Sequence, residues 1–462
     1  MLEVMEEKDT YISNFARFER EPANPARAWL QRIRKAGIAR FSALGFPTVH
    51  DEEWRNTNVS AIAKVPFASV AERGEPCVRP ALKSLEGVSA KTLKEFTFHT
   101  SNNIQLVFVN GRFCKEFSNT NALPAGVKAG SLAAALNTEG NLVETHLGKY
   151  AEFENHAFVA LNTAFIEDGA FIHIAKGTVV EAPIHLMFVS TELCEASVAY
   201  PRNLILAESD SKAAIVESYI GLGAGSNTYL TNTVTELVAG KNAVVEHYKL
   251  QRESIDAFHV ATLQIHQDRG SNVTSFSIAL GGALVRNEVN AVLDGENCEC
   301  TLNGLYVLNH EQLVDNHTLI DHAKPHCASH ELYKGVLDGK SRGVFNGRIL
   351  VRPDAQKTDA KQTNKTLLLS EDSQINTQPQ LKIYADDVKC THGATIGQLD
   401  KDAIFYLRSR GIGENDARGI LTFAFANDVV SRIKCAPVKA VLEDIVASVL
   451  RLPHTAEKCP RI

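Results

Sequence analysis

The chain has 462 residues, of which 44% are apolar and 22% are charged, and its formal net charge at pH 7 is −6. These values are ordinary for a globular protein and argue against a disordered or collagen-like chain. The modest negative charge and the lack of a long basic run argue against nucleic acid as a partner.

The N-terminal sequence and the cysteine usage indicate the cellular compartment of the protein. The N-terminal residues are acidic and contain no apolar stretch of the kind found in signal peptides. No run approaches the roughly 18 consecutive apolar residues of a membrane span. The nine cysteines are scattered, which is typical of free thiols and not of a disulfide framework. We therefore expect a cytoplasmic protein without a membrane segment.

The first part of the chain is predicted to be mostly helical. Residues 26–44 follow a proline suited to a first helical turn and place apolar side chains on one face. Gly45 and Pro47 then end this helix. Further elements are predicted as helices near 58–64, 131–137 and 141–165 and as a strand at 104–109.

The middle of the chain has the pattern of a β-solenoid. Short β-rich runs alternate with polar turns, and from Asp294 to Asp387 the turns recur about every 15 residues. This step is too short for a propeller blade or a helical repeat. A strand of about 5–6 residues plus turns, stacked on its neighbours, would bury inward Val, Ile and Leu. The residues alone leave an antiparallel meander or a sandwich open. Asparagines recur as expected for stacked polar corners, at Asn290, Asn303, Asn316, Asn346, Asn364 and Asn376.

The end of the chain is predicted to form three helices. The second has apolar residues off its main stripe, at Phe423, Ala426 and Val430. A helix that is apolar nearly all round has to be covered on two sides. These residues are candidates for docking a partner, and packing inside the chain's own helical cap is the alternative. The helices are predicted at 398–410, at 415–434 and from Pro437 onwards.

Histidine and cysteine crowd residues 298–330, but their spacing matches no known zinc motif, and neighbouring strand residues face opposite ways. No complete phosphate-binding loop is present, because residues 335–341 are one residue short between their glycines. We favour packing and turn hydrogen bonds for the crowded set and leave it unassigned: Cys298, Cys300, His310, His317, His322, His326, Cys327 and His330.

Cys390 and His392 form the best candidate site. In an extended strand these two side chains share a face, where a thiol and an imidazole could meet one metal. Two ligands are too few for a closed site, so a partner would have to supply the others. On the two residues alone, core packing of Cys390 and helix capping by His392 is the simpler interpretation.

A longer stretch around this pair resembles a known family. Residues 386–412 resemble the C-terminal signature of the SufB/SufD family, the scaffold subunits of the SufBCD iron–sulfur cluster assembly complex. Residues 45–55, 343–351 and 360–370 are similar to that family as well. The motif Cys-Thr-His-Gly-Ala-Thr at 390–395 points to the SufD branch, since SufB members are richer in Glu and His there.

The resemblance implies a fold. It predicts a mainly β chain in which a right-handed parallel β-helix is flanked by α-helical N- and C-terminal domains. The corresponding domains are a mostly helical one at 1–100, a β-helix at 101–392 with helical insertions near 130–165, and a helical one at 393–462.

The resemblance also implies a function. The chain would be a non-catalytic scaffold that pairs with a SufB-like paralogue and docks a SufC-like ATPase through its C-terminal helices. A homodimer in isolation is a further possibility. His392 would be the cluster-associated histidine, with Cys390 beside it. The chain alone would hold no cofactor stably, and a transient iron–sulfur cluster would form at the shared interface.

Two other functions stay open on the residues. Parallel β-helices also form extracellular carbohydrate lyases and esterases, which carry paired Asp residues with Arg or Lys on neighbouring coils. Asp315, Asp321 and Arg348 could be arranged in that way. A metal or thiol chaperone that uses residues 298–330 is the second alternative.

Overall fold

The computed structural model describes residues 2–20, 27–69, 88–98, 104–191, 196–223 and 228–450. In these ranges the helices are α1 (Leu2–Phe18), α2 (Ala28–Leu44), α3 (Ser60–Ala63), α4 (Ala90–Lys94), α5 (Leu132–Thr138), α6 (Gly140–His146), α7 (Ala157–Ala164), α8 (Lys401–Ser409), α9 (Glu414–Val430) and α10 (Ala436–Val449). A 3-10 turn lies at Glu52–Trp54.

Strands dominate the middle of the chain. They are β1 (Ala68–Ser69), β2 (Ile104–Val109), β3 (Arg112–Phe113), β4 (Val127–Ser131), β5 (Ala170–Ile174), β6 (Ile184–Thr191), β7 (Ser197–Ala199), β8 (Arg202–Ala207), β9 (Lys212–Leu222), β10 (Tyr229–Ala239), β11 (Val244–Arg252), β12 (Phe258–Gln267), β13 (Asn272–Ala279), β14 (Leu284–Leu293), β15 (Glu299–Leu308), β16 (Leu313–His322), β17 (Ala328–Leu337), β18 (Arg342–Val351), β19 (Asp359–Leu368), β20 (Gln374–Ile383) and β21 (Lys389–Gly397).

The strands build two facing parallel sheets. From β8 to β21 successive strands alternate between sheet A, which ends at β20, and sheet B, which ends at β21. The register pairs Leu284 with Leu313 and Leu313 with Arg342, so each coil takes 29 residues here. The predicted β-solenoid is therefore confirmed, but its repeat is corrected. A step of about 15 residues is half a coil, because each turn carries the chain to the opposite sheet.

The strands are also longer than predicted, with 10 residues each from β14 to β20. The asparagines predicted at polar corners lie inside these strands instead. The corners before the sheet B strands use left-handed residues, which Asn, Asp and Gly adopt most readily. These residues are Asp210, Asn242, Gly270, Asn297, His326 and Lys357, with φ between 57° and 69°.

Apolar columns run between the two sheets. One column on sheet A contributes one buried side chain per coil, which fits the predicted inward Val, Ile and Leu. Full burial of such a side chain stabilises the fold by about 1.5–3 kcal/mol. The column consists of Ile172, Ile205, Leu237, Ile265, Ala291, Ile320 and Ile349.

The interior also holds charged and polar groups that the inward apolar pattern does not predict. Glu217 and His247 face each other across 3.3 Å, and both side chains are almost fully buried. Lys249 donates to Asn287 over 2.5 Å. A buried charge is tolerated only when it is paired and hydrogen-bonded, as these groups are.

The C-terminal helices α9 and α10 pack on the outer face of sheet B. Ala426 and Val430 are both 0% exposed in this contact, and Phe423 packs at its edge. The face predicted to dock a partner is therefore partly occupied within the chain. Ala426 and Val430 are covered by the solenoid, while Phe423 is only half-buried, so docking of a partner at Phe423 stays a prediction.

Helices of the N-terminal part pack on the side of sheet A. Helices α2 and α7 approach closely at Gly37, where a side chain would meet Ala160 O at 2.8 Å. No helix in the described part of the chain is long and apolar enough to cross a membrane. The cysteines within the described ranges are all free, as predicted: Cys114, Cys298, Cys300, Cys327, Cys390 and Cys435.

A buried ion-pair network attaches the N-terminal segment to the solenoid. Arg286 on β14 is fully buried, pairs with Asp315, and reaches Glu288 at 2.8 Å. It also donates to the backbone oxygen of Glu53 over 2.9 Å and lies 4.2 Å from the ring centre of Trp54. The segment is thus held by a cation that has no access to water.

Replacing Arg286 by Met should lower the free energy of unfolding by about 3–5 kcal/mol, because Asp315 and Glu288 keep their charges and lose the buried guanidinium that pairs with both. Denaturant unfolding of the full chain measures this. The control is Lys128→Met, which breaks the exposed pair of Lys128 with Glu139 at 2.7 Å and should cost under about 1 kcal/mol. Equal effects of the two substitutions would contradict the prediction.

Candidate functional site

His392 and Cys390 lie on β21, the last strand of sheet B. Among the described strands it pairs only with β19, with Gln362 opposite His392 and Ala360 opposite Cys390. The Cys390 side chain packs inward against a small apolar cluster. His392, two residues further on, shares that face but is exposed, and its ring hydrogen-bonds to no described residue. The structure thus places the two predicted residues side by side at an open end of the solenoid.

The two groups differ in their readiness to bind a metal. Burial, with a smaller contribution from Asp359, raises the pKa of the Cys390 thiol above its ordinary value. A thiol has to lose its proton before it ligates a metal, so Cys390 is a poor ligand until a metal or partner approaches. The His392 imidazole faces solvent and can offer a lone pair directly. His392 is therefore the more accessible of the two side chains.

The last coil leaves a large surface uncovered. All side chains of β20 and β21 are exposed or half-buried, whereas about half of the positions in β18 and β19 are buried. Ile383, Tyr384 and Ile396 are 39%, 63% and 49% exposed. The outer edges of both strands carry backbone groups that no described strand pairs. Such an edge is a template for pairing with another chain.

A polar column lies directly beneath His392. Gln362 on β19 and Glu331 on β17 occupy the same register position in the two preceding coils. They are 1% and 3% exposed, and the Gln362 amide donates to Glu331 over 2.6 Å. Burial raises the pKa of Glu331 to about 7. Sequence analysis missed this column, although the alternation of Ser329, Glu331 and Tyr333 along β17 could have indicated it.

The histidines of residues 310–330 do not converge. His310 and His326 are left-handed turn residues, with φ of 54° and 60°. His322 lies inside the solenoid, 2.9 Å from Ser329, and burial lowers its pKa to about 4. His330 is exposed on β17. Within the described residues no group of three or more His, Cys, Asp or Glu side chains could hold a metal ion.

The three cysteines of that region share a corner of the solenoid. Cys298 and Cys327 occupy equivalent positions in neighbouring coils, and their thiols donate to Gly295 O over 3.1 and 3.2 Å. The neighbouring Cys327 thiol lowers the pKa of the Cys298 thiol to about 7. Burial raises the pKa of Cys300 well above its ordinary value. These thiols pack as small buried groups.

The residues considered for a lyase lie on the outer face of sheet A, where Asp321 and Arg348 line a cleft of about 640 Å³ beside the N-terminal segment and Asp315 does not. Asp315 is 1% exposed and forms an ion pair with Arg286. Asp321 pairs with Arg352, and Arg348 pairs with Glu53, each at 2.6 Å. Burial opposes the charge of His317, but Asp315 and Glu53 outweigh it and its pKa is raised. Each carboxylate thus has a structural cation partner, which does not favour a lyase site.

The architecture and the matching family models together identify the family of this chain. A long two-sheet parallel solenoid with flanking helices places the chain in the class of β-solenoid proteins. Residues 5–186 match the family model described as the SufBD protein N-terminal region. Residues 188–425 match the model described as SUF system FeS cluster assembly, SufBD core domain. The chain belongs to the SufBD family, which confirms the resemblance found in the sequence.

Relatives agree with this assignment over most of their length. An iron–sulfur cluster assembly SufBD family protein of Synechocystis is 34% identical, over 90% of this chain and 90% of its own. The iron–sulfur cluster assembly protein SufD of Escherichia coli is 30% identical, over 84% of this chain and 86% of its own. SufD of Bacillus subtilis is 25% identical, over 94% and 96%.

Glu331→Gln should change how stability depends on pH. The folded pKa of about 7 lies above the ordinary value of 4.5, so the folded chain holds a proton that the unfolded chain releases. Stability therefore falls as pH rises from about 4.5 to 7. The unfolding free energy of Glu331→Gln minus that of the parent should therefore be larger at pH 8 than at pH 5, by at most about 3 kcal/mol.

Denaturant unfolding at pH 5 and pH 8 measures this difference. Glu311→Gln is the control, because Glu311 is exposed and its removal should leave the pH dependence unchanged. If Glu331→Gln and the parent keep a constant difference in unfolding free energy across this range, Glu331 does not carry the raised pKa.

Proposed function

We propose that the chain is a non-catalytic, SufD-type scaffold subunit in iron–sulfur cluster assembly. The observation that carries this proposal is the position of His392, exposed on the terminal strand of the solenoid, whose outer edge no described strand pairs. The family and the names of its relatives supply the chemical context. In this function the cluster is cargo, assembled and passed on.

The site is suited to a shared cluster. Thiolates and imidazoles are side chains that hold iron in iron–sulfur proteins. This chain supplies one imidazole and one half-buried thiol, so the remaining ligands have to come from a partner. A cluster held jointly by two subunits would be assembled only in the complex and would not stay bound to one subunit alone.

A SufB-like paralogue is the proposed partner at the open end. Its own solenoid would pair with the free edges of β20 and β21 through backbone hydrogen bonds. It would also cover Ile383, Tyr384 and Ile396, which are exposed in this chain. The same surface would account for a homodimer when the paralogue is missing. Pairing there brings the partner's ligands next to His392.

A SufC-like ATPase is proposed to dock on the C-terminal helices, at a different face from the one first predicted. Helix α8 has no buried residue, and Phe405 and Tyr406 on it are 74% and 57% exposed. Ile420 on α9 is 37% exposed. These three residues form the proposed docking surface. ATP would be bound and hydrolysed by this partner, and the chain itself would have no enzymatic activity.

His392→Ala should sharply reduce cluster formation by the reconstituted complex, by at least about tenfold, because it removes an exposed lone pair that no described neighbour replaces. Cluster absorbance after addition of iron and sulfide measures this, and gel filtration confirms that the subunits still associate. Cys390→Ser should reduce the yield comparably if the thiol ligates and only slightly if it packs.

His330→Ala is the matched control, because His330 is also exposed on sheet B but lies two coils away from the open end. It should leave the cluster yield unchanged. Full yield from an intact His392→Ala complex would remove His392 from the site.

Phe405→Asp should abolish binding of the ATPase partner while leaving the thermal melt unchanged, since this side chain has few contacts to lose. Pull-down or calorimetry with the purified ATPase measures the binding. Ile255→Asp is the control, because Ile255 is 57% exposed on a loop of the solenoid and should not affect binding. Unchanged binding by Phe405→Asp would rule out this surface.

A further inference from the structure

His392 and Gln362 are two unpartnered groups in neighbouring coils. The ring of His392 hydrogen-bonds to no described residue, and its strand partner in register is Gln362. The side-chain oxygen of Gln362 is buried and also has no hydrogen-bond partner among the described residues. A buried carbonyl oxygen without a donor is rare in proteins, so a donor is expected close by.

The other end of the Gln362 side chain is firmly held. Its amide nitrogen donates to Glu331 Oε2 over 2.6 Å in the coil below. On the facing sheet, Gly347 leaves the space that this amide occupies, because a methyl group at that position would overlap Gln362. With the nitrogen directed to Glu331, the oxygen is the atom left for a donor. The neighbouring coil on the other side is the one that carries His392.

This arrangement matches a general feature of metal-binding histidines. Such a residue usually donates one ring N–H to a fixed acceptor, and this bond sets which nitrogen keeps the lone pair and how the ring is oriented. An exposed histidine without an acceptor samples both tautomers and several ring orientations. A fixed carbonyl oxygen beneath it would select one of them.

We propose that Gln362 is the positioning residue for His392: its side-chain oxygen accepts a hydrogen bond from one ring nitrogen and leaves the other nitrogen free to bind iron. The inference rests on the proposed function for the role of the free nitrogen. The structure shows the two groups in register but not yet bonded, so the hydrogen bond requires the exposed His392 ring to turn towards Gln362, and it does not depend on cargo. Glu331 acts through Gln362 by holding its amide nitrogen.

The tautomer of His392 tests this proposal directly. Ring-¹⁵N-labelled full-length protein is studied by NMR at the high-pH plateau of its histidine titration, and the His392 signals are assigned by their loss in His392→Ala. The parent should show one tautomer in excess by about tenfold, as expected for a single hydrogen bond. Gln362→Met, which keeps the length of the side chain but removes the acceptor, should bring the two tautomers to within about threefold.

Asn364→Leu is the matched control. Asn364 is 1% exposed on the same strand and lies opposite Ala394, so its loss should leave the His392 tautomer unchanged. If Gln362→Met fails to fold, the His392 tautomer ratio of the parent alone tests the proposal. A parent in which both tautomers are comparably populated overturns the proposal, and so does a Gln362→Met protein with the parent's tautomer ratio.

The outcomes separate this inference from the proposed function. A tautomer that depends on Gln362, together with full cluster yield from His392→Ala, would support the positioning and overturn the ligand role. A loss of cluster yield in His392→Ala, together with a His392 tautomer ratio that is the same in Gln362→Met and in the parent, would support the ligand role and overturn the positioning.

Discussion

In-register stacking of parallel strands is the constraint on which the rest of the structure depends. Each residue of one coil lies beside its counterpart in the next, so a substitution at one position affects the packing of its neighbours along the column. Because strand residues alternate between faces, every second residue points between the sheets. The stacking that produces the apolar column from Ile172 to Ile349 also places Glu331, Gln362 and His392 in line. The core and the candidate site are thus products of one geometry.

Polar groups inside such a core have to satisfy each other through the stack. Glu217 and His247 face each other at 3.3 Å across neighbouring coils, and the Asn287 amide donates to Asn316 over 3.1 Å. Since an unpaired buried charge is costly, these columns tolerate few single substitutions. Several buried polar atoms of the solenoid nevertheless have no described hydrogen-bond partner, and the side-chain oxygen of Gln362 is one that lies a single coil from the uncovered end. Incomplete satisfaction there is consistent with a site that another molecule completes.

Sequence patterns predicted the solenoid, the helices α2, α9 and α10, and the pair on β21, because each depends on local periodicity or short motifs. They failed where one coil meets another. A step of about 15 residues cannot show which sheet each strand joins, and a stripe on α9 cannot show that Ala426 and Val430 are covered by sheet B. The column beneath His392 joins residues 30 or more positions apart, and only the register reveals it. His310 and His326 stand out in the sequence, but in the structure they occupy left-handed turn positions.

The two ends of the solenoid differ in a way that bears on function. At the N-terminal end, β3 and β4 run antiparallel to their neighbours, and residues such as Phe113, Leu123 and Val127 pack against the core. At the other end, α9 and α10 follow the last coil but pack on the outer face of sheet B and do not cover the open end. A solenoid needs a cap at each end to keep its coils from pairing with other chains. The described chain provides one at the N-terminal end and leaves the end that carries His392 open, so the same feature that invites a partner also exposes the ligand.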